Sequence, residues 1–386
     1  MSPHNGSSHN GSSHPGPSAR PTVAVIGGGY GGTAVAKALD EIADVVLVEA
    51  KDSFVHNVAA LRGLVDPDWA DRLFLPYDRL LPRGTVRRGR AVHVDATAVT
   101  LADGERITAD YTVLATGSGY PFPAKFDTDD SAAAKARLHT VREALAASAH
   151  VLLLGAGPVG LELAGEIRAA WPGKRVTVTD PAAELLPGFP DAFRARVRDE
   201  LAGLGIEVLL GTALSGPPPT EPGTFQPFTV RTEGGHSLGA DLWLRCHGVV
   251  PATGYLDEAL AATARRADGH LLVTPELRLA GQERLFALGD ITAVPEAKTA
   301  KAANEHAGVV AANLRALITG EGELATHTPG APAMALPLGP ERGATYSPEM
   351  GVLDAAATAE MKGADLMLSV FAEIFGIPER AVTVDS

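Results

Sequence analysis

Two sets of glycines, each followed by an acid, are the residues of this sequence best placed to do chemistry. The first set is Gly27, Gly29 and Gly32, directly after the apolar run 23–26, with Glu49 about 20 residues further on. The second is Gly155, Gly157 and Gly160, directly after the apolar run 151–154, with Asp180 at a similar remove. In the G-x-G-x-x-G spacing the first glycine permits a tight turn and the second lets the backbone approach a pyrophosphate. The third lets the next helix pack closely on the strand. That helix aims its unpaired N–H groups and positive dipole end at the phosphates. An acid closing the following strand accepts hydrogen bonds from ribose hydroxyls. The chemistry these residues could do is dinucleotide binding, and the sequence provides for it twice.

The elements that must hold these residues are legible around them. Residues 23–26 and 45–48 read as buried parallel strands flanking a helix over 31–39, with Glu49 closing the unit. Residues 151–154, 161–170 and 176–179 repeat the order, and Asp180 closes the second unit. Such an internal repeat is more specific than either copy and implies two nucleotide cofactors. Both acids repel a 2′-phosphate, so NADH is expected in preference to NADPH. Arg175, Arg194, Arg196 and Arg198 are the arginines nearest the place where an NADP site needs one.

Other stretches could border a ligand. The segment 51–65, KDSFVHNVAALRGLV, follows the second strand, where ligands bind in such folds; Phe54, His56 and Asn57 flank a cofactor there, or the segment is a helix start capped by Ser53. Apolar strands ending in small-residue turns lead to Thr116-Gly117 and to Gly289-Asp290, and the helical pattern over 298–314 follows the latter. Residues 85–94, 98–101 and 105–108 read as a small antiparallel meander. Near the end, Leu366, Met367, Val370, Phe371, Ile374 and Phe375 form one apolar stripe. It packs on the body or on a second copy, which leaves a homodimer or a peripheral membrane contact open, although Glu360, Asp365 and Glu373 stand where a membrane helix carries basic residues.

Composition narrows the class. The 386 residues carry a formal net charge of −13, which disfavours nucleic acid or an anionic membrane as partner. The single cysteine, Cys246, excludes an internal disulfide or a redox dithiol and suits a cytoplasmic setting; it reads as a buried structural thiol. No apolar run is long enough to span a membrane. The first twenty residues, with the repeat HNGSSHNGSSH, read as a polar tail without the glycine needed for myristoylation. No metal site is expected, the tail histidines His4, His9 and His14 included.

The assembly resembles the pyridine-nucleotide flavoprotein reductases with two dinucleotide-binding domains. The stretches 51–62 (KDSFVHNVAALR), 114–126 (LATGSGYPFPAKF) and 285–290 (LFALGD) are similar to the ferroptosis-suppressor-protein branch, also called apoptosis-inducing-factor-like mitochondrion-associated 2. Type II NADH dehydrogenases are more distant kin. The resemblance covers 21–325 and implies a glutathione-reductase-like α/β fold of two Rossmann-like domains plus a small C-terminal α+β segment. Residues 21–142 and 255–325 would form the FAD domain, 143–254 the NAD(P)H domain and 326–386 an interface segment. It implies FAD on Gly27, Gly29, Gly32 and Glu49, with Lys51, His56, Asn57, Thr116, Gly117, Gly289 and Asp290 along the cofactor. It implies NADH on Gly155, Gly157, Gly160 and Asp180, with Glu162 near the nicotinamide and Lys298 near the flavin as catalytic residues. Lys362 matches a C-terminal family lysine loosely. The activity implied is transfer of hydride from NADH to FAD and of electrons to an external small-molecule acceptor, a quinone. The alternatives are a reductase serving a ferredoxin or monooxygenase, and a redox-switched NADH sensor.

Overall fold

The computed structural model describes residues 20–378, so the tract read as a polar tail lies outside the described residues but for Arg20. Each glycine unit folds as strand, turn, helix, strand. A β-branched run forms β1 (Thr22–Ile26), small and straight-chain residues form α1 (Tyr30–Leu39), and a second β-branched run forms β2 (Asp44–Glu49). The short helix α2 (Ala60–Val65) and strands β3 (Thr85–Arg88) and β4 (Tyr111–Leu114) follow. The second unit comprises β5 (His150–Leu154), α3 (Pro158–Ala170), β6 (Arg175–Thr179), β7 (Glu207–Leu209) and β8 (Leu242–Arg245). The chain then returns to the first sheet with β9 (Leu285–Ala287) and α4 (Ala300–Thr319).

Both sheets are parallel. The first has the order β9-β4-β1-β2-β3 and the second β7-β6-β5-β8. Strand order therefore reverses beside β1 and again beside β5, and the crevice at each reversal opens at the carboxyl ends of the strands. Register makes this specific: Ile26 pairs with both Val48 and Leu114, and Leu114 pairs with Ala287. The turns after β1, β2, β4 and β9 are thereby brought to one edge. Alternate residues of β1 feed opposite cores: Val23 and Val25 face one, Ala24 and Ile26 the other, all almost wholly buried.

The expected strand over 85–94 is in fact two. Residues 85–88 join the main sheet through β2, and only 91–94 enter the meander with Ala98–Leu101 and Arg106–Thr108. The break falls at Gly89, whose N–H bonds the Glu49 carbonyl at 2.8 Å.

The C-terminal segment is a three-stranded antiparallel sheet, β10 (Met334–Pro337), β11 (Gly343–Ser347) and β12 (Gly351–Leu353). A short helix, a π-helical turn (Ala359–Gly363) and helix α5 (Leu368–Ile374) follow. It packs so closely on α3 that a Cβ at Gly165 would lie 2.4 Å from the Leu338 Cα. The apolar stripe does not stay together. Leu366, Phe371 and Phe375 are buried, whereas Met367 and Val370 are 40% and 44% exposed. Leu366 and Met367 both adopt left-handed backbone (φ 51° and 66°), which starts α5 only at Leu368 and turns the stripe about its axis. The fold is thus two Rossmann-like domains with an α+β segment bridging them.

Candidate functional site

The two glycine turns share one stereochemistry. Gly27 has φ +105°, and a Cβ there would lie 2.4 Å from the Ala115 carbonyl oxygen; one at Gly32 would lie 1.9 Å from the Gly27 oxygen. At Gly29, by contrast, a Cβ would meet nothing within 4 Å. Gly155, Gly160 and Gly157 repeat the three situations, with Cβ distances of 2.8 Å to the Cys246 oxygen, 1.9 Å to the Gly155 oxygen, and nothing within 4 Å. Two glycines of each turn make packing fit, and the middle one leaves space before a helix N-terminus.

Each turn is latched to its acid. The Gly28 N–H donates to Glu49 Oε2 at 2.6 Å and the Lys51 N–H to Oε1 at 2.8 Å. In the second unit Ala156 N–H donates to Asp180 Oδ2 at 2.7 Å and Ala182 N–H to Oδ1 at 2.8 Å. A carboxylate has about four acceptor positions, so each acid retains capacity for hydroxyl donors. The Lys51 ammonium donates to the carbonyls of Phe126 (3.1 Å) and Thr128 (2.7 Å), with the Asp129 carboxylate 3.9 Å away. The Tyr77 hydroxyl donates to the Gly28 carbonyl at 2.7 Å and closes the first cradle from outside.

At the same edge, Thr116 donates to the Ala252 carbonyl at 2.7 Å and lies 2.9 Å from the Tyr255 hydroxyl. The Gly117 carbonyl accepts from Ala252 N–H. Residues 118–119 pair antiparallel with 250–251, which fastens the two interdomain crossings together. Asp290 accepts from Ser118 Oγ at 2.6 Å and from Lys125 Nζ at 3.1 Å. Burial works to raise Asp290, but Lys125 and the Ser118 hydroxyl outweigh it and hold the carboxyl below its ordinary value. Lys298 lies just ahead of α4, which is capped by the Thr299 hydroxyl, and donates to the Val294 carbonyl at 2.7 Å; burial holds its ammonium below the ordinary lysine value.

The segment 51–65 does not open with a helix capped by Ser53. Phe54–Val55 form a strand against Phe74–Leu75, and Asn57 begins a 3₁₀ turn. His56 is fully buried. The Tyr30 hydroxyl faces its Nδ1 at 3.2 Å, and its Nε2 bonds the Leu366 carbonyl at 2.8 Å. Because the Leu366 carbonyl can only accept, the His56 proton sits on Nε2, and Nδ1 of the neutral ring accepts from the Tyr30 hydroxyl, whose oxygen also receives the Val58 N–H. Burial lowers the His56 pKa to about 4. Phe54, Phe371 and Phe375 pack around this pair, with the Tyr30 and Phe371 rings 4.9 Å apart.

The C-terminal segment reaches both domains. On α3, Glu162 accepts from Lys362 Nζ at 2.9 Å. On α2, Arg62 forks onto Glu166 of α3 at 2.8–3.2 Å and donates to the carbonyls of Gly363 (2.6 Å) and Ala364 (3.1 Å). Lys37 and Arg79 donate to the carbonyls of Ile374 and Gly376. Lys125, Tyr77, Arg62 and Glu166 carry no signal in the residue spacing, because their partners are backbone carbonyls or stand far away in the sequence. The same holds for a buried group of Glu296, His306 and His327, separated by up to 31 residues.

Comparison with known proteins follows this geometry. The model of the pyridine nucleotide-disulphide oxidoreductases matches residues 21–307. The chain belongs to that family. It is accordingly an FAD-dependent oxidoreductase of the kind that uses NAD(P)H. It is 35% identical over 329 residues to the ferroptosis suppressor protein 1 of Taeniopygia guttata, covering 82% of this chain and 86% of the relative. It is 30% identical over 387 residues to the apoptosis-inducing factor homolog B of Dictyostelium discoideum, covering 95% and 99%. A solved ferredoxin reductase for the CYP199A2 system of Rhodopseudomonas palustris shares the fold, with TM-score 0.64 and 21% identity over 81% of this chain and 79% of that one. Among the described residues no helix is long and apolar enough to cross a membrane.

Proposed function

We propose that the chain oxidises NADH through bound FAD and passes the electrons to an external small molecule, a quinone. The observation that carries this reading is the matched pair of cradles, each with open space at its middle glycine and an acid latched behind the turn. FAD fits the first cradle and NADH the second, and bound FAD supplies hydride acceptance and onward electron transfer. The chain's own residues bind and orient. Glu49 and Asp180 offer their remaining lone pairs to ribose hydroxyls, and Asp290, aimed by Ser118 and Lys125, accepts from the ribityl chain. Glu162, steadied by Lys362, borders the nicotinamide, and Lys298 stands at the entry to α4.

NADH is preferred because Asp180, latched by the Ala156 and Ala182 N–H groups, sets a carboxylate where a 2′-phosphate would lie, and two of the nearest arginines are already engaged. Arg194 is held by Glu184 and Asp191, and Arg196 by Glu200. The acceptor is external because Cys246 is buried without a thiol partner and burial pushes its thiol up to about 12. A quinone is the acceptor that the resemblance to the ferroptosis-suppressor-protein branch implies, and the 35% identity to the Taeniopygia relative supports that resemblance.

The test is an anaerobic visible spectrum before and after stoichiometric NADH or NADPH, followed by a short-chain ubiquinone analogue. The reading expects oxidised flavin, faster bleaching by NADH, and return of colour with the quinone. Failure to take up added FAD overturns it; bleaching by NADPH alone overturns the coenzyme assignment, and a quinone that leaves the flavin reduced overturns the acceptor.

A further inference from the structure

A buried cluster outside both cradles joins the turn after β9 to the loop that leads into α4. The Glu296 side chain, 6% exposed, meets His306 Nε2 at 2.5 Å, His327 Nε2 at 3.1 Å and the Gly330 N–H at 3.3 Å. On the other side of the His306 ring, Nδ1 lies 3.0 Å from the Gly289 N–H. A backbone N–H can only donate, so Nδ1 accepts. The neutral ring then carries its proton on Nε2, where it donates to Glu296. The backbone of Gly289 therefore decides the tautomer.

That tautomer decides against a metal ion between Glu296, His306 and His327. A metal at His306 Nε2 needs the lone pair there and the proton on Nδ1, where the Gly289 N–H already points. The cluster is a hydrogen-bond chain whose far end is the flavin-side turn: Gly289, with φ +71°, precedes Asp290, the carboxylate held by Ser118 and Lys125.

We propose that His306 and Glu296 are positioning residues for the flavin site. The imidazole fixes the turn at 289–290 by accepting the Gly289 N–H, and the carboxylate holds the imidazole in the tautomer that can accept. This rests on the flavin reading of the first cradle. The device also has a direction in pH. Protonation of His306 puts a second N–H on the side facing Gly289, so the bond is replaced by repulsion. Burial opposes that charge most, His327 and Lys298 oppose it as well, and Glu296 favours it; the balance keeps the ring neutral to below the ordinary histidine value. The turn is intact above that lowered value and loosens as the pH falls through it.

The test measures FAD dissociation by recovery of free flavin fluorescence between pH 4.5 and 8. It uses the wild type, His306→Asn, His306→Gln, Glu296→Gln and Glu296→Leu. Asparagine sets an amide oxygen near the Nδ1 position, whereas glutamine reaches the Nε2 position and leaves Gly289 without an acceptor. At neutral pH His306→Gln and Glu296→Leu are expected to release FAD about 10-fold more readily, with His306→Asn and Glu296→Gln within about threefold of the wild type. The acid-side loss of flavin expected of the wild type should vanish in His306→Asn. That profile alone carries the test if the glutamine variant does not fold, as judged by its unfolding midpoint. Equal retention in all five proteins, or a reversed order of asparagine and glutamine, refutes the positioning role and leaves the flavin reading standing. A wild type that takes up no FAD refutes the reading beneath it. Stoichiometric zinc or iron removable by a chelator overturns the tautomer assignment.

Discussion

Replacing Arg62 with methionine isolates the contact that ties the two domains and the C-terminal segment together. The Arg62 and Glu166 side chains are each 5% exposed, and the guanidinium also lies over the Trp69 ring and holds two carbonyls of the C-terminal segment. Methionine keeps the apolar stem and removes the charge, leaving Glu166 buried without its partner. Removing one member of a buried pair costs about 3–5 kcal/mol. A loss of that size lowers the unfolding midpoint of a chain this long by about 5 °C. Burial, opposed by Arg62, already holds Glu166 above its ordinary carboxyl value. A carboxyl raised in the folded state destabilises at pH above its unfolded value, and the penalty disappears on acidification. The deficit of Arg62→Met should therefore be largest near pH 8 and shrink toward pH 5. Adding Glu166→Leu should recover most of it, because a well-packed apolar pair replaces an orphaned charge. Urea unfolding of the four members of this cycle at both pH values is the assay. A single-variant loss under about 1 kcal/mol, or a double variant as unstable as the sum of the singles, refutes the reasoning.

Three further outcomes are expected. Gly29→Ala should fold normally yet retain FAD poorly, because its methyl enters the open cradle, whereas Gly32→Ala should not yield folded protein, its methyl falling 1.9 Å from the Gly27 oxygen; soluble yield and the flavin-to-protein absorbance ratio check both. Asp180→Ser should lower kcat/KM for NADH by about 10- to 100-fold through loss of charge-assisted hydrogen bonds while NADPH gains relative to it, and an unchanged coenzyme ratio would count against Asp180. His56, lowered to about 4, binds protons more weakly in the folded state than in the unfolded one, so the stability it supports is present above about pH 6.5 and is lost between there and about pH 4. That limb, worth about 3 kcal/mol, should flatten in His56→Asn when the unfolding midpoint is followed against pH.

The sequence made the cradles legible because the constraint on Gly27 and Gly32 is steric and local: a side chain at either position collides with backbone a few residues away or on the adjoining strand. Glu49 and Asp180 were legible for the same reason, since a strand of fixed length sets their distance from the turn. What stayed hidden involves long-range partners. Lys125 reaches Asp290 across 165 residues, and Arg62 reaches Glu166 across 104. The C-terminal stripe misled because its period is helical, while two left-handed residues, Leu366 and Met367, divide it. The strand at 85–88 was merged with the next because alternation of side chains does not reveal which neighbour a strand pairs with.

The way the C-terminal segment is held has a consequence for how such a protein can change. Arg62, His56, Lys37 and Arg79 all grip its backbone oxygens, those of Gly363, Ala364, Leu366, Ile374 and Gly376. A carbonyl is the same acceptor whatever side chain follows it. The fixed domain thus moors the segment through atoms that substitution does not alter, while outward positions such as Met361, Met367 and Val370 are free to vary. A segment moored in this way can change the chemistry of its outer face by mutation of one short stretch, with the cofactor cradles left untouched.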